Sequence, residues 1–205
     1  MCTWVKTGMT QNNVKIAITG GICSGKSTVA NIIREQGHKV ISCDEIYSAL
    51  LQDRGFLKQI CDEFGKVLTN EGALDRVKLS EIVFNDHEKL NKLNIITHPQ
   101  IMQRAMEQMQ GVGIHFCEVP LLFECGFENL FDNVIVVLRS ENDRVKELMR
   151  RTKINKEQAV LRVKAQFDYH NKDFIKYYVI HNDKNLSDLY KQTLNLLEVI
   201  DKDYN

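Results

Sequence analysis

Only two prolines and one tryptophan occur in the 205 residues. No proline-rich linker therefore divides the chain. Long apolar runs are missing too: stretches such as Val134–Leu138 fall far short of the roughly 20 residues a bilayer span requires. Neither sign of charge is in excess, with 27 Lys+Arg against 27 Asp+Glu. The chain thus lacks the polycationic surface of a non-specific nucleic-acid binder, and neither nucleic acid nor membrane is expected as a partner. None of the six cysteines (2, 23, 43, 61, 117 and 125) forms a C-x-x-C pair, and the histidines at 38, 87, 98, 115, 170 and 181 do not join them at zinc-ligand spacing. No G-x-S-x-G elbow for acyl transfer occurs. The N-terminal MCTWVKTGMTQNNVK has no apolar core and no cleavage signature. Scattered thiols without such a signal read as reduced and mostly buried, in a cytoplasmic protein. Residues 1–12 read as a poorly ordered tail, with Met9 an alternative start.

What is present is a globular composition, 43% hydrophobic and 26% charged, at a length suited to one α/β domain carrying an insertion or lid. Val14–Thr19 is a β-branched apolar run ending at Gly20-Gly21 and predicts a buried strand. Ser27–Gln36 has helical spacing at Val29, Ala30, Ile32 and Ile33, stopped by Gly37. Lys39–Cys43 predicts a second strand, completing the strand–helix–strand unit of a parallel sheet. Residues 45–110 predict only helices: Glu45–Leu51, Phe56–Phe64, Lys78–Phe84, His87–Ile96, and Gln100–Gln110 opening after Pro99. Strands return at Ile114–Val119, Val134–Leu138 and Tyr178–Ile180. Helices are predicted over Asn142–Arg151, from an Asn155 cap to about Tyr169, and from Ser187 through Ile200.

The strongest signal is Gly20-Gly21-Ile22-Cys23-Ser24-Gly25-Lys26-Ser27, a full G-x-x-x-x-G-K-[ST] between a strand and a helix. Glycines let the backbone curl so that its N–H groups converge on phosphate oxygens, and the helix N-terminus adds partial positive charge. Gly21 to Thr28 are the expected nucleotide contacts. Within them Lys26 reaches the β- and γ-phosphates, and the Ser27 hydroxyl ligates Mg²⁺ beside ATP. Cys23 reads as a small residue that fits the loop, although Lys26 and the neighbouring amides are of the kind that lower a thiol pKa. The loop by itself specifies a nucleoside triphosphate and not a reaction.

GGICSGKSTVA resembles the dephospho-coenzyme A kinase pattern GGIGSGKSTVA. The similarity continues through Phe64-Gly65, Asp75-Arg76, the His98-Pro99 pair in ITHPQI, VPLLFE at 119–124, Gln166 in RVKAQ and Asn182 in VIHND. The resemblance, over roughly 14–182, implies a parallel-sheet P-loop kinase core of three α/β/α layers with a helical substrate-binding insertion (about 45–110) and a helical lid (about 141–170), all within one domain at 13–205. It implies transfer of the ATP γ-phosphoryl group to the ribose 3′-hydroxyl of dephospho-coenzyme A. Asp44 matches the second acid of the family's D-A-D motif and is the implied base. The bottom-up reading of Asp44 is divided between that role, at the end of a parallel strand, and a cap for the helix beginning at Glu45. Arg151 matches the lid arginine that neutralises phosphoryl charge. Arg76, His98 and Glu124 fall on the acceptor side, and Asn182 on the adenine side. The chain departs from the pattern at Ser42 and Cys43, which replace the first Asp and the Ala of D-A-D, and at Arg144 and Glu147, where the family has glutamine and arginine. A monomer, at most weakly self-associating, is expected. Rival readings are another small-molecule kinase, such as one for nucleoside monophosphates, and a non-catalytic nucleotide switch.

Overall fold

The computed structural model describes residues 13–84, 86–169 and 172–204, so the expected tail at 1–12 lies outside the described residues. The chain divides into two compact units. One holds the residues up to Val40 and from Met109 onward; the other is Ile41–Gln108.

The first unit contains β1 (Asn13–Thr19), α1 (Lys26–Glu35), β3 (Gly113–Glu118), β4 (Asn133–Leu138), α6 (Glu141–Thr152), α7 (Lys156–Lys164), β5 (Tyr178–His181) and α8 (Leu186–Tyr204). The unit boundary falls inside β2 (Val40–Ser42), and the five strands stand in the order β2-β3-β1-β4-β5. β1 pairs in parallel with β3 and β4, and β4 with β5; Ile16 lies opposite Phe116 on one side and Asn133 on the other. Parallel strands are covered on both faces, which is why β1 and β4 are nearly continuous apolar runs. Ile16, Ile18, Phe116, Ile135 and Val137 from the sheet form one core with Val29 and Ile33 of α1 and Leu189, Leu197 and Ile200 of α8. Each such side chain contributes roughly 1.5–3 kcal/mol on burial. Because the strands are parallel, the segments leaving β1, β3, β4 and β5 emerge at one edge, where open α/β sheets bind ligands.

The second unit contains α2 (Cys43–Leu50), α3 (Arg54–Phe64), α4 (Arg76–Phe84) and α5 (His87–Gln108), with α5 packed against the other three. Ile46, Leu50, Phe56, Ile60, Leu79 and Met102 are buried. Asp53 caps α3 through the Gly55 and Phe56 amides and pairs with Arg104 at 2.6 Å.

Two expectations are corrected. The helices expected at 87–96 and 100–110 are one helix, and Pro99 lies inside it. Pro99 cannot donate to the Ile95 carbonyl. Burial of Thr97, Met102 and Ala105 carries α5 through that defect, and Gln100 Nε2 donates to the Ile96 carbonyl at 2.8 Å. The helix opened by Asn155 stops at Lys164 instead of near Tyr169. Phe167 and Tyr169 leave the helical path to pack with Phe123 and Phe174. Among the described residues, no helix is long and apolar enough to cross a membrane.

Candidate active site

The loop between β1 and α1 takes positive φ at Gly20 (153°), Cys23 (59°) and Gly25 (102°). Gly25 also precedes α1, whose N-terminus has no side-chain cap and no acidic residue in its first turn. Of the loop amides, Ser24 donates to Gly21, and Thr28 and Val29 to Gly25. Ile22 donates to Gln166 Oε1 at 2.6 Å. The amides of Cys23, Gly25 and Ser27 donate to no group among the described residues. Ser24 is 1% exposed, and its buried hydroxyl is likewise without a partner there. Undonated amides at an uncapped helix start are the chemistry that holds phosphate oxygens.

The loop is shaped from outside. Its carbonyls at Ile22, Cys23 and Ser24 accept in turn from Arg144 Nε (3.0 Å), Arg139 Nη1 (3.3 Å) and Asn182 Nδ2 (2.8 Å). Drawing three successive carbonyls outward leaves the intervening amides facing the other way. Asn182, expected on the adenine side, is thus first a buttress of the loop. A side chain on Gly25 would strike Asn182, and one on Gly21 would strike Arg144. Cys23 is buried with Val145, Leu148, Ala159 and Val163 of α6 and α7. Burial pushes its thiol pKa up, only partly offset by Arg151, Lys26 and Arg139. The structure therefore supplies no activated thiolate at Cys23.

Ser27 Oγ donates to Glu118 Oε1 at 2.6 Å. Glu118 ends β3 and is 6% exposed. Sequence reasoning passed over it, although a carboxylate closing an apolar strand was the same signal that singled out Asp44. Lys26 is the first residue of α1, and its charge reaches Cys23. Arg151, in the last turn of α6, donates Nε to Glu147 Oε1 at 2.8 Å, and Arg150 bonds the same carboxylate. These bonds lower the Glu147 pKa to about 2. The exposed Glu124 accepts the Phe167 amide at 3.2 Å, which ties it to the end of the α7 segment. Among the described residues no three His, Cys, Asp or Glu side chains gather to hold a metal. Ser27 and Glu118 do fit Mg²⁺, which takes one or two carboxylates and completes its shell with water and substrate phosphates.

In the helical unit, the α2 cap is Ser42, whose hydroxyl accepts the Glu45 amide at 3.3 Å. The helix starts at Cys43, so Asp44 is not the cap that one reading allowed. Asp44 lies exposed in the first turn, and its carboxylate makes no hydrogen bond among the described residues. Arg76 opens α4, exposed, and its charge is felt by Tyr47, one turn beyond Asp44 on α2. His98 is half-buried on α5, and burial lowers its pKa.

The family described as dephospho-CoA kinase matches residues 14–188. A dephospho-CoA kinase of Fusobacterium nucleatum is 37% identical over 190 residues, 90% of this chain and 97% of the relative. Among solved structures, a dephospho-CoA kinase from Campylobacter jejuni superposes with a TM-score of 0.68 at 32% identity, covering 93% of this chain and 98% of that one. TT1252 from Thermus thermophilus superposes with a TM-score of 0.80 at 28% identity, covering 91% of this chain and 97% of that one. With the phosphate loop in place and the match running nearly the length of the described chain, the protein belongs to the dephospho-CoA kinase family.

Proposed function

We propose that the chain transfers the terminal phosphoryl group of ATP to the 3′-hydroxyl of dephospho-CoA. The observation that carries this reading is the loop at residues 20–27, with undonated amides at Cys23, Gly25 and Ser27, in a chain of this family. Those amides and Lys26 hold the triphosphate. Ser27 and Glu118 would hold Mg²⁺, which when bound screens the β- and γ-phosphate charge. Asp44 orients the acceptor hydroxyl and takes its proton, as the new O–P bond forms and the bond to ADP breaks. Its exposed carboxylate, unengaged because Ser42 does the capping, supports that role. Arg151 neutralises charge on the transferred group. Arg76, His98 and Glu124 serve the acceptor, with 45–110 as substrate subdomain and 141–170 as lid. The protein works as a cytoplasmic monomer.

The test is ADP release by purified protein, with and without dephospho-CoA. Acceptor-dependent ADP is the expected result; ATP binding without ADP release under either condition would favour the switch reading. Lys26→Ala is expected to weaken both ATP affinity and turnover, and unchanged steady-state kinetics would contradict the loop's role.

A further inference from the structure

Arg144 is a cation in an unusual position. Its residue is 4% exposed, and burial pulls its pKa down. Its two bonds go to neutral acceptors, the Ile22 carbonyl at 3.0 Å and Gln166 Oε1 at 2.9 Å. Gln166 Oε1 in turn takes the Ile22 amide at 2.6 Å. One arginine and one glutamine therefore engage both the N–H and the C=O of a single loop residue. The guanidinium also fills the space where a Gly21 side chain would stand.

What Arg144 lacks is a counter-ion. Among the described residues no carboxylate lies within ion-pair distance of it; Glu141, on the preceding turn of α6, acts on it only at longer range. A buried charge without a partner is costly, and removing it from water makes its field stronger nearby. The loop it grips presents undonated amides and an unpartnered serine hydroxyl, a site for anions. The pattern this chain resembles usually has glutamine here, so Arg144 departs from it by a full charge.

We propose that Arg144 is a positioning residue of the phosphate loop: with Gln166 it fixes the Ile22 peptide, and its uncompensated charge tightens the loop on phosphates according to their charge. This rests on the phosphate-loop reading of residues 20–27.

The test is equilibrium binding of AMP, ADP and ATP with Mg²⁺ to wild type, Arg144→Gln and Arg144→Lys, with thermal unfolding of each protein in the absence of nucleotide. Arg144→Gln removes the charge but keeps a side-chain N–H that can donate to the Ile22 carbonyl, and it is expected to fold. It should lose about tenfold in ATP affinity, less for ADP, and no more than about twofold for AMP. Arg144→Lys keeps the charge and loses the fork, so the wild-type preference for ATP over AMP should persist even if all three affinities fall together. Equal losses for all nucleotides in Arg144→Gln, no loss at all, or Arg144→Lys behaving like Arg144→Gln would overturn the inference. If Arg144→Gln does not fold, the nucleotide preference of Arg144→Lys decides in the same sense. Failure of the wild-type protein to bind ATP would be seen before any variant is read; it would sink the loop reading and this inference with it.

Discussion

The phosphate loop and the helical unit Ile41–Gln108 are built on opposite plans. In the loop, the space beside Gly20, Gly21 and Gly25 is already filled by Val137, Arg144 and Asn182. In the helical unit, nothing stands within 4 Å of a side chain added at Gly65 or Gly72. Three loop carbonyls are held by side chains more than a hundred residues away, whereas Asp44 and Arg76 stand in solvent with no side-chain hydrogen bond among the described residues. The lesson concerns where order is established. The loop carries dipoles held in place by the rest of its own unit, which is the efficient way to stabilise charge. Asp44 and Arg76 are exposed and make no side-chain hydrogen bond among the described residues, so the cost of ordering them falls at binding.

Four substitutions would break or sharpen that contrast. The largest effect is expected in the less constrained region: Asp44→Asn should lower kcat by about 10²–10⁴ with little change in ATP affinity. A near-normal kcat would remove Asp44 from the base role. Next comes the same change made in both regions. Gly25→Ala meets a φ of 102° and the Asn182 side chain, and should weaken ATP binding about tenfold or more besides lowering the thermal midpoint. Gly72→Ala, at a φ of 82° with open space around it, should cost about 1 kcal/mol of stability and leave ATP binding alone. Equal effects on ATP binding would erase the distinction.

The smallest effect is Glu147→Gln, which tests a contact in the loop's own unit that does not touch the loop. The folded-state pKa of Glu147 lies below its ordinary value of 4.5, at about 2. Its bonds to Arg150 and Arg151 are therefore fully stabilising above about pH 4.5 and are lost as pH falls through about 2. Both arginines are well exposed, 71% and 59%, so solvent screening keeps the contribution below about 1 kcal/mol. Unfolding curves of wild type and variant should differ by that small amount at pH 7 and converge in acid.

The parts of the site legible in the sequence were those carried by neighbours in the chain. Strand, loop and helix around residues 20–27 follow from local glycine and apolar spacing, and the Asn155 cap of α7 was visible in the same way, its Oδ1 accepting the Gln158 amide at 2.9 Å. Contacts bridging long separations were not legible. Glu118 meets Ser27 across 91 positions, and Gln166 meets Ile22 across 144. Gln166 could be quoted as part of a motif, but its task could not be read. Pro99 misled because local rules treat proline as a boundary, while packing of α5 against α2, α3 and α4 overrode it. Ser42 looked like the loss of an acid; the structure shows a residue gained as a cap.

Cys23 occupies a left-handed backbone position that glycine fills in the family pattern, and an L-residue there carries a strain of about 1 kcal/mol. Its thiol sits among Val145, Leu148, Ala159 and Val163, so the strained peptide is riveted to the α6–α7 arm. A glycine there would remove both the backbone strain and the contact. With cysteine, one side chain ties the conformation of the loop backbone to the packing of α6 and α7.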